Sequence, residues 1–358
     1  MSKKLFVSIL FIILIQIGLL FPNSSYAGLP AGNPLKDPNA ILRNALPIAQ
    51  PEVIELQHQL EDTSDLLRGG RWSSLEKSIT KTQKFIKRQN VKITDSLSGK
   101  ESKQAKEIIL KINNSLENLK ETTTTKDKQA FIDKRRESLN YVGELENLFL
   151  PKEFPYNIPS EYDNLPRLLG RAEVSIKTTK GNMTAIIDGY NAPLTSGAFI
   201  DLVKRNFYDE LPINRAEEFF VLQTGDPIGD AIGFIDENTN EERHVPLEIK
   251  IPEEKEIFYN QTFEELGLYT ETPTLPFATL GTLGWSHSNE SVDDGSSQFF
   301  FFLYEAELNP AGRNLIDGRN AAFGYVVEGA EVLEELNMND KVLSISIIKG
   351  VENLEAHA

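Results

Sequence analysis

The sequence predicts an α+β chain of two domains, in which an N-terminal antiparallel helical bundle precedes a closed antiparallel β-barrel with two capping helices. The length of 358 residues exceeds one ordinary domain, and the 40% hydrophobic content is enough for packed cores. Near Pro151 the spacing of apolar residues changes from three or four to two. The charge balance changes at the same place. Residues 28–150 carry 20 Lys and Arg against 17 Asp and Glu, whereas residues 151–358 carry 15 against 36.

The first 27 residues have the order of regions found in secretory signal peptides. Two lysines precede an apolar run from Leu5 to Leu20, and Ser25 and Ala27 stand before Gly28 as in a cleavage site. The apolar run is close to the shortest that can span a bilayer, so a single membrane anchor is the alternative. We expect residues 1–27 to be removed from an exported chain.

Residues 28–150 predict the helical bundle. Apolar residues recur three or four positions apart in segments separated by short breaks, at Gly69-Gly70, at Ser98-Gly99 and at a predicted four-threonine turn over 122–125. Such stripes pack against one another in antiparallel bundles, and we interpret them as core rather than as a cofactor site. The basic helix faces are typical of a solvated surface. Docking on an acidic partner, including the second half of this chain, is the alternative.

Residues 169–350 predict the barrel. Four prolines within 151–168 indicate a semi-rigid linker before it, and residues 351–358 form a predicted tail after it. Apolar and polar residues alternate through a hairpin over 172–187, and the segments 219–222, 279–285, 298–304, 322–327 and 342–349 are further predicted strands. Helical patterns cover 193–206 and 329–336. Many short strands with two helices describe a closed, capped barrel.

Composition excludes several functional classes. A net charge of −16 argues against nucleic acid as a partner, because binding to phosphates needs clustered Lys and Arg. The absence of Cys excludes a disulfide framework, a thiol nucleophile and a Cys-ligated metal. Four scattered His residues argue against a His-rich metal site. We therefore expect no cofactor and no metal.

Three motifs of the second half carry a family resemblance. Arg215 stands shortly before FFVLQTGDP at 219–227, SSQFF follows at 296–300, and IDGR at 316–319 precedes Phe323-Gly324. In this order they resemble the cyclophilin family of peptidyl-prolyl isomerases over about residues 170–350. The whole chain is similar to the large thylakoid-lumen cyclophilins of cyanobacteria and chloroplasts, which join a signal sequence, a helical bundle and a cyclophilin domain.

The resemblance implies an exported prolyl isomerase that acts as a folding and assembly factor. Its partners would be proline-containing segments of client proteins, and the narrower group points to photosystem II subunits. The implied location is the thylakoid lumen, with the periplasm as the alternative. A removed signal peptide would leave no stable membrane span.

The resemblance also assigns roles to individual residues. Rotation of an X–Pro amide meets a barrier near ~20 kcal/mol because resonance gives the C–N bond double-bond character. A guanidinium that donates to the prolyl nitrogen competes with that resonance, and Arg215 takes this position. Gln223 and Gln298 would bind the peptide backbone. The remaining groove residues implied are the lining of the proline pocket, Phe220, Val221, Phe300, Leu315 and Ile316, and three further positions, Ser286, His287 and Asn320.

Several of these positions depart from the usual family residues. Val221 replaces a Met, Ser286-His287 replace an Ala-Asn or Ala-Arg pair, and Leu315 and Asn320 stand where Trp and His are usual. These changes predict weak isomerase activity. A non-enzymatic chaperone that binds proline-containing loops is the alternative function. A second hypothesis, based on the charge difference between the halves, is that the bundle contacts and restrains the cyclophilin-like half.

Overall fold

The computed structural model describes residues 37–236, 239–252, 254–304 and 314–356. The predicted signal peptide lies outside these ranges. Within them, no helix is long and apolar enough to cross a membrane.

The first half consists of helices, as predicted. Four of them form a ring in which α2 contacts α4, α4 contacts α5, α5 contacts α6 and α6 contacts α2, so that α4 and α6 lie diagonally opposite. Leu and Ile side chains at three-to-four spacing fill the centre of this ring. The helices are α1 (Pro38–Asn44), α2 (Pro51–Glu61), α3 (Thr63–Arg68), α4 (Trp72–Asp95), α5 (Gly99–Thr125) and α6 (Lys128–Glu146).

The prediction of a turn at the four threonines is wrong, because α5 continues through them. The hydroxyl of Thr122 donates to the carbonyl of Leu119 at 2.7 Å, and that of Thr123 donates to the carbonyl of Lys120 at the same distance. These bonds satisfy the hydroxyls inside the helix. The helix ends at Lys126, whose φ of 55° is left-handed.

The second half is built on a curled antiparallel sheet of nine strands, in the order β4-β12-β2-β3-β11-β9-β10-β6-β5. Two further pairs, β1 with β13 and β7 with β8, lie beside it, and α7 (Pro193–Lys204) packs in its concave core. The strands are β1 (Arg167–Leu168), β2 (Arg171–Thr178), β3 (Asn182–Asp188), β4 (Leu211–Pro212), β5 (Arg215–Glu217), β6 (Val221–Thr224), β7 (Glu248–Lys250), β8 (Ile257–Tyr259), β9 (Thr282–Trp285), β10 (Phe299–Phe302), β11 (Ala322–Glu328), β12 (Lys341–Lys349) and β13 (Leu354–Glu355).

The predicted closed barrel is not confirmed, since no ladder joins the edge strands β4 and β5 within the described ranges. The chain itself links these edges through two residues. The amide of Ile213 donates to Asp340 beside β12, and the amide of Asn214 donates to Gln223 of β6, both at 3.0 Å. Strand β4 is two residues long and contains Pro212, which has no amide hydrogen to extend a ladder. The result is a half-barrel.

The second predicted capping helix is a short 3-10 helix, Ala330–Glu334. It follows Gly329, whose left-handed φ of 75° lets the chain turn after β11. Its i+3 bonds run from Val332 to Gly329 and from Glu335 to Val332. A segment of this length favours a 3-10 turn, because it is too short to overcome the cost of starting an α-helix.

A buried glutamate of strand β7 caps α7. The carboxylate of Glu248 accepts from the amides of Leu194 and Thr195 at 3.0 and 2.7 Å, and from the Thr195 hydroxyl at 2.8 Å. These bonds satisfy the amides that every helix start leaves free, and the negative charge suits the helix dipole. Burial raises the pKa of Glu248 to about 7.

The two halves meet where α1 lies on the outer face of the sheet. Ile41, Leu42 and Ala45 pack in one apolar cluster with residues of β10 and β11. Arg171 of β2 donates to the carbonyl of Leu42 at 2.6 Å, and Asn191 donates to the carbonyl of Ala45 at 3.0 Å. Part of the N-terminal half is therefore fixed to the sheet by backbone acceptors and apolar packing.

A buried acid lies at the end of α6. Glu146 is fully buried, and neither of its carboxylate oxygens has a hydrogen-bond partner among the described residues. Burial raises its pKa to about 8, against the weaker opposing effects of Arg43 and Arg171, while Glu61 raises it further. The folded chain therefore keeps this carboxyl protonated at pH values at which the unfolded chain ionises it.

This arrangement predicts that Glu146 destabilises the chain as the pH rises. Because the folded pKa lies above the unfolded value near 4.5, the stability difference between wild type and Glu146→Gln changes between pH 4.5 and about 8. We expect wild type to lose roughly 2–3 kcal/mol relative to the variant between pH 5 and pH 7. Urea unfolding followed by circular dichroism at 222 nm measures this. A difference that does not change with pH would contradict it.

Candidate active site

Arg215, Gln223 and Gln298 form one continuous hydrogen-bonded chain on the outer face of the sheet. Arg215 of β5 lies directly opposite Gln223 of β6 in the register, and its Nη1 donates to Oε1 of Gln223 at 3.4 Å. Nε2 of Gln223 donates to Oε1 of Gln298 at 2.7 Å. Nε2 of Gln298 then donates to the carbonyl of Ile232 and to Asp226, at 2.9 and 3.2 Å. The structure thus brings Gln298, which is distant in the sequence, to the hairpin pair of Arg215 and Gln223.

Phe220 and Val221 flank this chain. The Arg215 guanidinium lies 6.0 Å from the centre of the Phe220 ring, which makes an edge contact with Phe302. Val221 is buried and pairs with Phe302 in the register. The turn before them contains Phe219, which has a left-handed φ of 59° and is 51% exposed. An aromatic rim therefore stands beside the guanidinium.

Glu217 holds Arg215 from the other side. Residues two apart on a strand point to the same face. The carboxylate of Glu217 accepts a hydrogen bond from Nε of Arg215 at 2.7 Å, and its ion-pair distance to Nη2 is 2.6 Å. Both side chains are about half exposed, at 48% and 50%. Arg215 therefore makes an ion pair with its neighbouring acid and contacts Gln223 at the same time. A substrate that needs this guanidinium has to compete with Glu217.

For the prolyl isomerase that the sequence motifs imply, this competition predicts a faster reaction when the acid is neutralised. Exposed ion pairs contribute about 0.4–1 kcal/mol, so we expect Glu217→Gln to raise kcat/KM for a proline peptide roughly two- to fivefold. Glu218→Gln is the matched control, because Glu218 is an exposed neighbour with the same charge and no recorded contact with Arg215. An equal rise in both variants would assign the effect to net charge and contradict a specific contact.

Phe300 points from β10 into a covered cluster. It is 6% exposed, and its ring stacks on Phe277 with centroids 5.7 Å apart and planes at 16°. The ring also lies over Gly284 of β9, where an added Cβ would stand 2.2 Å from Cζ of Phe300. Only glycine allows this close approach. In this conformation Phe277 covers the face that the predicted proline pocket would use.

Ser286, His287 and Asn320 lie together beyond β9. The amide of Ser286 donates to the carbonyl of Gln298 at 3.0 Å, and Nδ2 of Asn320 donates to the carbonyl of Trp285 at 3.2 Å. The His287 ring contacts the carbonyl oxygens of Ser288 and Arg319 at 2.7 and 3.0 Å. These backbone contacts attach the segment after β9 to Gln298 on one side and to the turn at 314–320 on the other.

The turn over 314–320 carries Leu315 and Ile316. Ile316 packs on the cluster that contains Phe300, whereas Leu315 is 78% exposed beside Tyr269. The carboxylate of buried Asp317 fixes the turn, since it accepts from the amides of Phe277 and Asn314 at 2.8 and 2.9 Å. Ile316 therefore joins the groove side, and Leu315 lies on an open rim.

Across the ranges described, no group of three or more His, Asp or Glu side chains is placed to hold a metal ion.

Sequence reasoning did not single out Phe277, Gly284 or Glu217 as site residues. Phe277 belongs to a segment without a regular hydrophobic period, and only the folded chain brings it to Phe300. Gly284 carried no signal of its own. Glu217 did carry a signal, because an acid two positions from an arginine on a strand lies on the same face as that arginine.

One face of the curled sheet thus presents an arginine, two glutamines and an aromatic rim. Comparison with known proteins shows the family to which a chain with this site belongs. Residues 173–351 match the family model described as cyclophilin type peptidyl-prolyl cis-trans isomerase. Residues 37–150 match the PsbQ-like domain of CYP38-like peptidyl-prolyl cis-trans isomerases. The chain belongs to the cyclophilin-type peptidyl-prolyl cis-trans isomerase family.

Two relatives match most of the chain. It is 44% identical over 326 residues to a putative thylakoid lumen peptidyl-prolyl cis-trans isomerase of Synechocystis, covering 91% of this chain and 86% of the relative. It is 39% identical over 335 residues to the chloroplastic isomerase CYP38 of Arabidopsis thaliana, covering 90% and 76%. The resemblance found in the sequence motifs is thereby confirmed for both halves together.

Proposed function

We propose that this chain catalyses cis-trans isomerisation of X–Pro bonds from the groove around Arg215, as a folding and assembly factor in the thylakoid lumen. The observation that carries the proposal is the register pair of Arg215 and Gln223, continued to Gln298. It supplies a fixed cation beside amide groups that can bind a peptide backbone. The lumen location is supported by the similarity to the Synechocystis relative, which is named a putative thylakoid lumen isomerase.

The chemistry needs no covalent intermediate. The planar amide delocalises the nitrogen lone pair into the carbonyl, and the twisted transition state returns that pair to the nitrogen. A guanidinium hydrogen donated to the nitrogen binds the twisted state more strongly than either planar state, so it lowers the barrier. Gln223 and Gln298 hold the flanking backbone while the bond turns. The departures at Val221, Leu315 and Asn320 are expected to weaken substrate binding.

A refolding experiment tests the role as a folding factor. A protein whose slow refolding phase is limited by proline isomerisation refolds in tens to hundreds of seconds without a catalyst. We expect residues 28–358 of this chain, which keep every described residue, to shorten that phase. The Arg215→Ala variant should leave the phase unchanged. A non-enzymatic chaperone would raise the yield of refolding without changing the rate, and that outcome would contradict the proposal.

We further propose that the proteins assembled with the help of this chain are photosystem II subunits. It is tested in a cyanobacterium whose own copy of the gene has been deleted. We expect the wild-type chain to restore the accumulation of assembled photosystem II and Arg215→Ala to fail at equal expression. Equal restoration by both variants would show that the photosystem needs binding rather than catalysis.

A further inference from the structure

Helix α4 presents a stripe of positive charge on its outer face. Its buried residues include Leu75, Ile79 and Ile86, which point into the bundle. Four exposed cations follow one another at spacings of four, three and four residues, on the opposite side of the helix. They are Lys77, Lys81, Lys84 and Arg88, which we call the basic stripe. At 1.5 Å per residue the stripe is about 16 Å long.

The basic stripe lacks compensating acids. The whole of α4 has six cations against two acidic residues, Glu76 and Asp95, in a protein whose net charge is −16. Within the described chain, the ion pair of α4 joins Lys92, one turn after the stripe, to Glu52. Like charges four residues apart repel one another and destabilise a helix. The stripe therefore costs stability, and no ion pair of its four cations within the described chain offsets that cost.

The position of α4 leaves the stripe accessible. Within the ring of helices, α4 is diagonally opposite α6, and it contacts α2, α3 and α5. The junction with the second half is lined instead by α1 and α6, including Arg43 and Gly143, together with Arg171 of β2. Within the described chain, no residue of the stripe lines that junction or belongs to the apolar cluster beside the groove around Arg215.

The chemistry of the stripe favours a surface with diffuse charge. Three of the four cations are lysines, which act as flexible point charges, whereas recognition of a defined carboxylate or phosphate favours the rigid fork of arginine. Rows of lysines are attracted to anionic lipid headgroups, and each contributes within about a Debye length of the surface. The apolar face of α4 is already used in the bundle core, so it is not available for insertion into a bilayer.

We propose that the basic stripe of α4 is a docking surface for an anionic lipid membrane, and that it attaches the protein there with the isomerase groove free. The attachment is electrostatic and reversible. It is independent of the catalytic role of Arg215, because no residue of the stripe lies in the groove. The net negative charge of the rest of the chain orients the protein with α4 towards the lipid.

Vesicle sedimentation tests this proposal with residues 28–358. We expect binding to phosphatidylcholine vesicles that contain a third of phosphatidylglycerol at 50 mM NaCl, and at least tenfold weaker binding to pure phosphatidylcholine or at 500 mM NaCl. Changing Lys77, Lys81, Lys84 and Arg88 to Gln should weaken binding by roughly a hundredfold or more. The matched control changes four exposed lysines of the second half to Gln: Lys152, Lys177, Lys204 and Lys255.

The control variant should bind like wild type, and both quadruple variants should keep the circular dichroism spectrum and the isomerase activity. Equal binding of wild type to neutral and anionic vesicles, or equal loss in the two quadruple variants, would overturn the proposal. Retention of wild type on poly-glutamate without binding to vesicles would also overturn it, by assigning the stripe to an acidic protein.

Discussion

Replacing Arg215 by alanine is expected to reduce kcat/KM for an X–Pro peptide on the order of 100- to 1000-fold, the usual loss when one preorganised donor is removed. The physical reason is that Gln223 and Gln298 still bind the peptide backbone, whereas no cation remains to compete for the prolyl lone pair. Binding should therefore change much less than turnover. A protease-coupled assay with a proline tetrapeptide measures the loss.

Two further variants make this result specific. Arg215→Lys keeps a positive charge but loses the planar fork that contacts both Glu217 and Gln223, so we expect an intermediate rate. Arg136→Ala is the matched control, because Arg136 is an exposed arginine on α6 that pairs with Asp133. It should behave like wild type. An Arg215→Ala variant with wild-type kcat/KM would contradict the assignment of Arg215.

Replacing Asp188 by alanine is expected to destabilise the chain by about 2–4 kcal/mol, because it removes the counter-charge of Arg171, a partly exposed side chain, and the acceptor of two Asn191 hydrogen bonds. Asp188 is fully buried, and one carboxylate oxygen accepts from Nε and Nη2 of Arg171 at 2.8 and 2.5 Å. Its other oxygen accepts from the backbone amide and from Nδ2 of Asn191, both at 3.0 Å.

The same network fixes α1, because Arg171 and Asn191 donate to the carbonyls of Leu42 and Ala45. We therefore expect Asp188→Ala to loosen the contact between the two halves as well as to lower stability. Hydrogen exchange of the amides at 41–45 measures the first effect, and urea unfolding the second. Asp209→Ala removes an exposed acid and should cost close to nothing. A loss below about 1 kcal/mol for Asp188→Ala would contradict the network.

The parts of the site that follow from the geometry of strands and hairpins could be predicted from the sequence. Arg215 and Gln223 are eight residues apart across a tight turn, a spacing that a β-hairpin converts into a direct pair. Gln298 and Phe300 are two apart and share a face of β10. The helical stripes of the first half were equally clear, because burial repeats with the helix period.

Other features depend on contacts that no local pattern contains. Phe277 reaches Phe300 from an irregular segment, and Asp188 connects to α1 across more than a hundred residues of chain. The predicted closure of the barrel is not confirmed, and it too depends on contacts between distant segments. The alternation of strands does not say whether the edges pair, and Pro212 ends one edge after two residues.

The groove is proposed to turn X–Pro bonds rather than only to bind them. Exchange spectroscopy by NMR on an Ala-Pro peptide at equilibrium separates the two functions. We predict that substoichiometric wild-type chain produces cis-trans exchange peaks, and that Arg215→Ala shifts the peptide resonances without producing those peaks. Peptide binding by wild type without exchange, or equal exchange rates in the two proteins, would contradict the account.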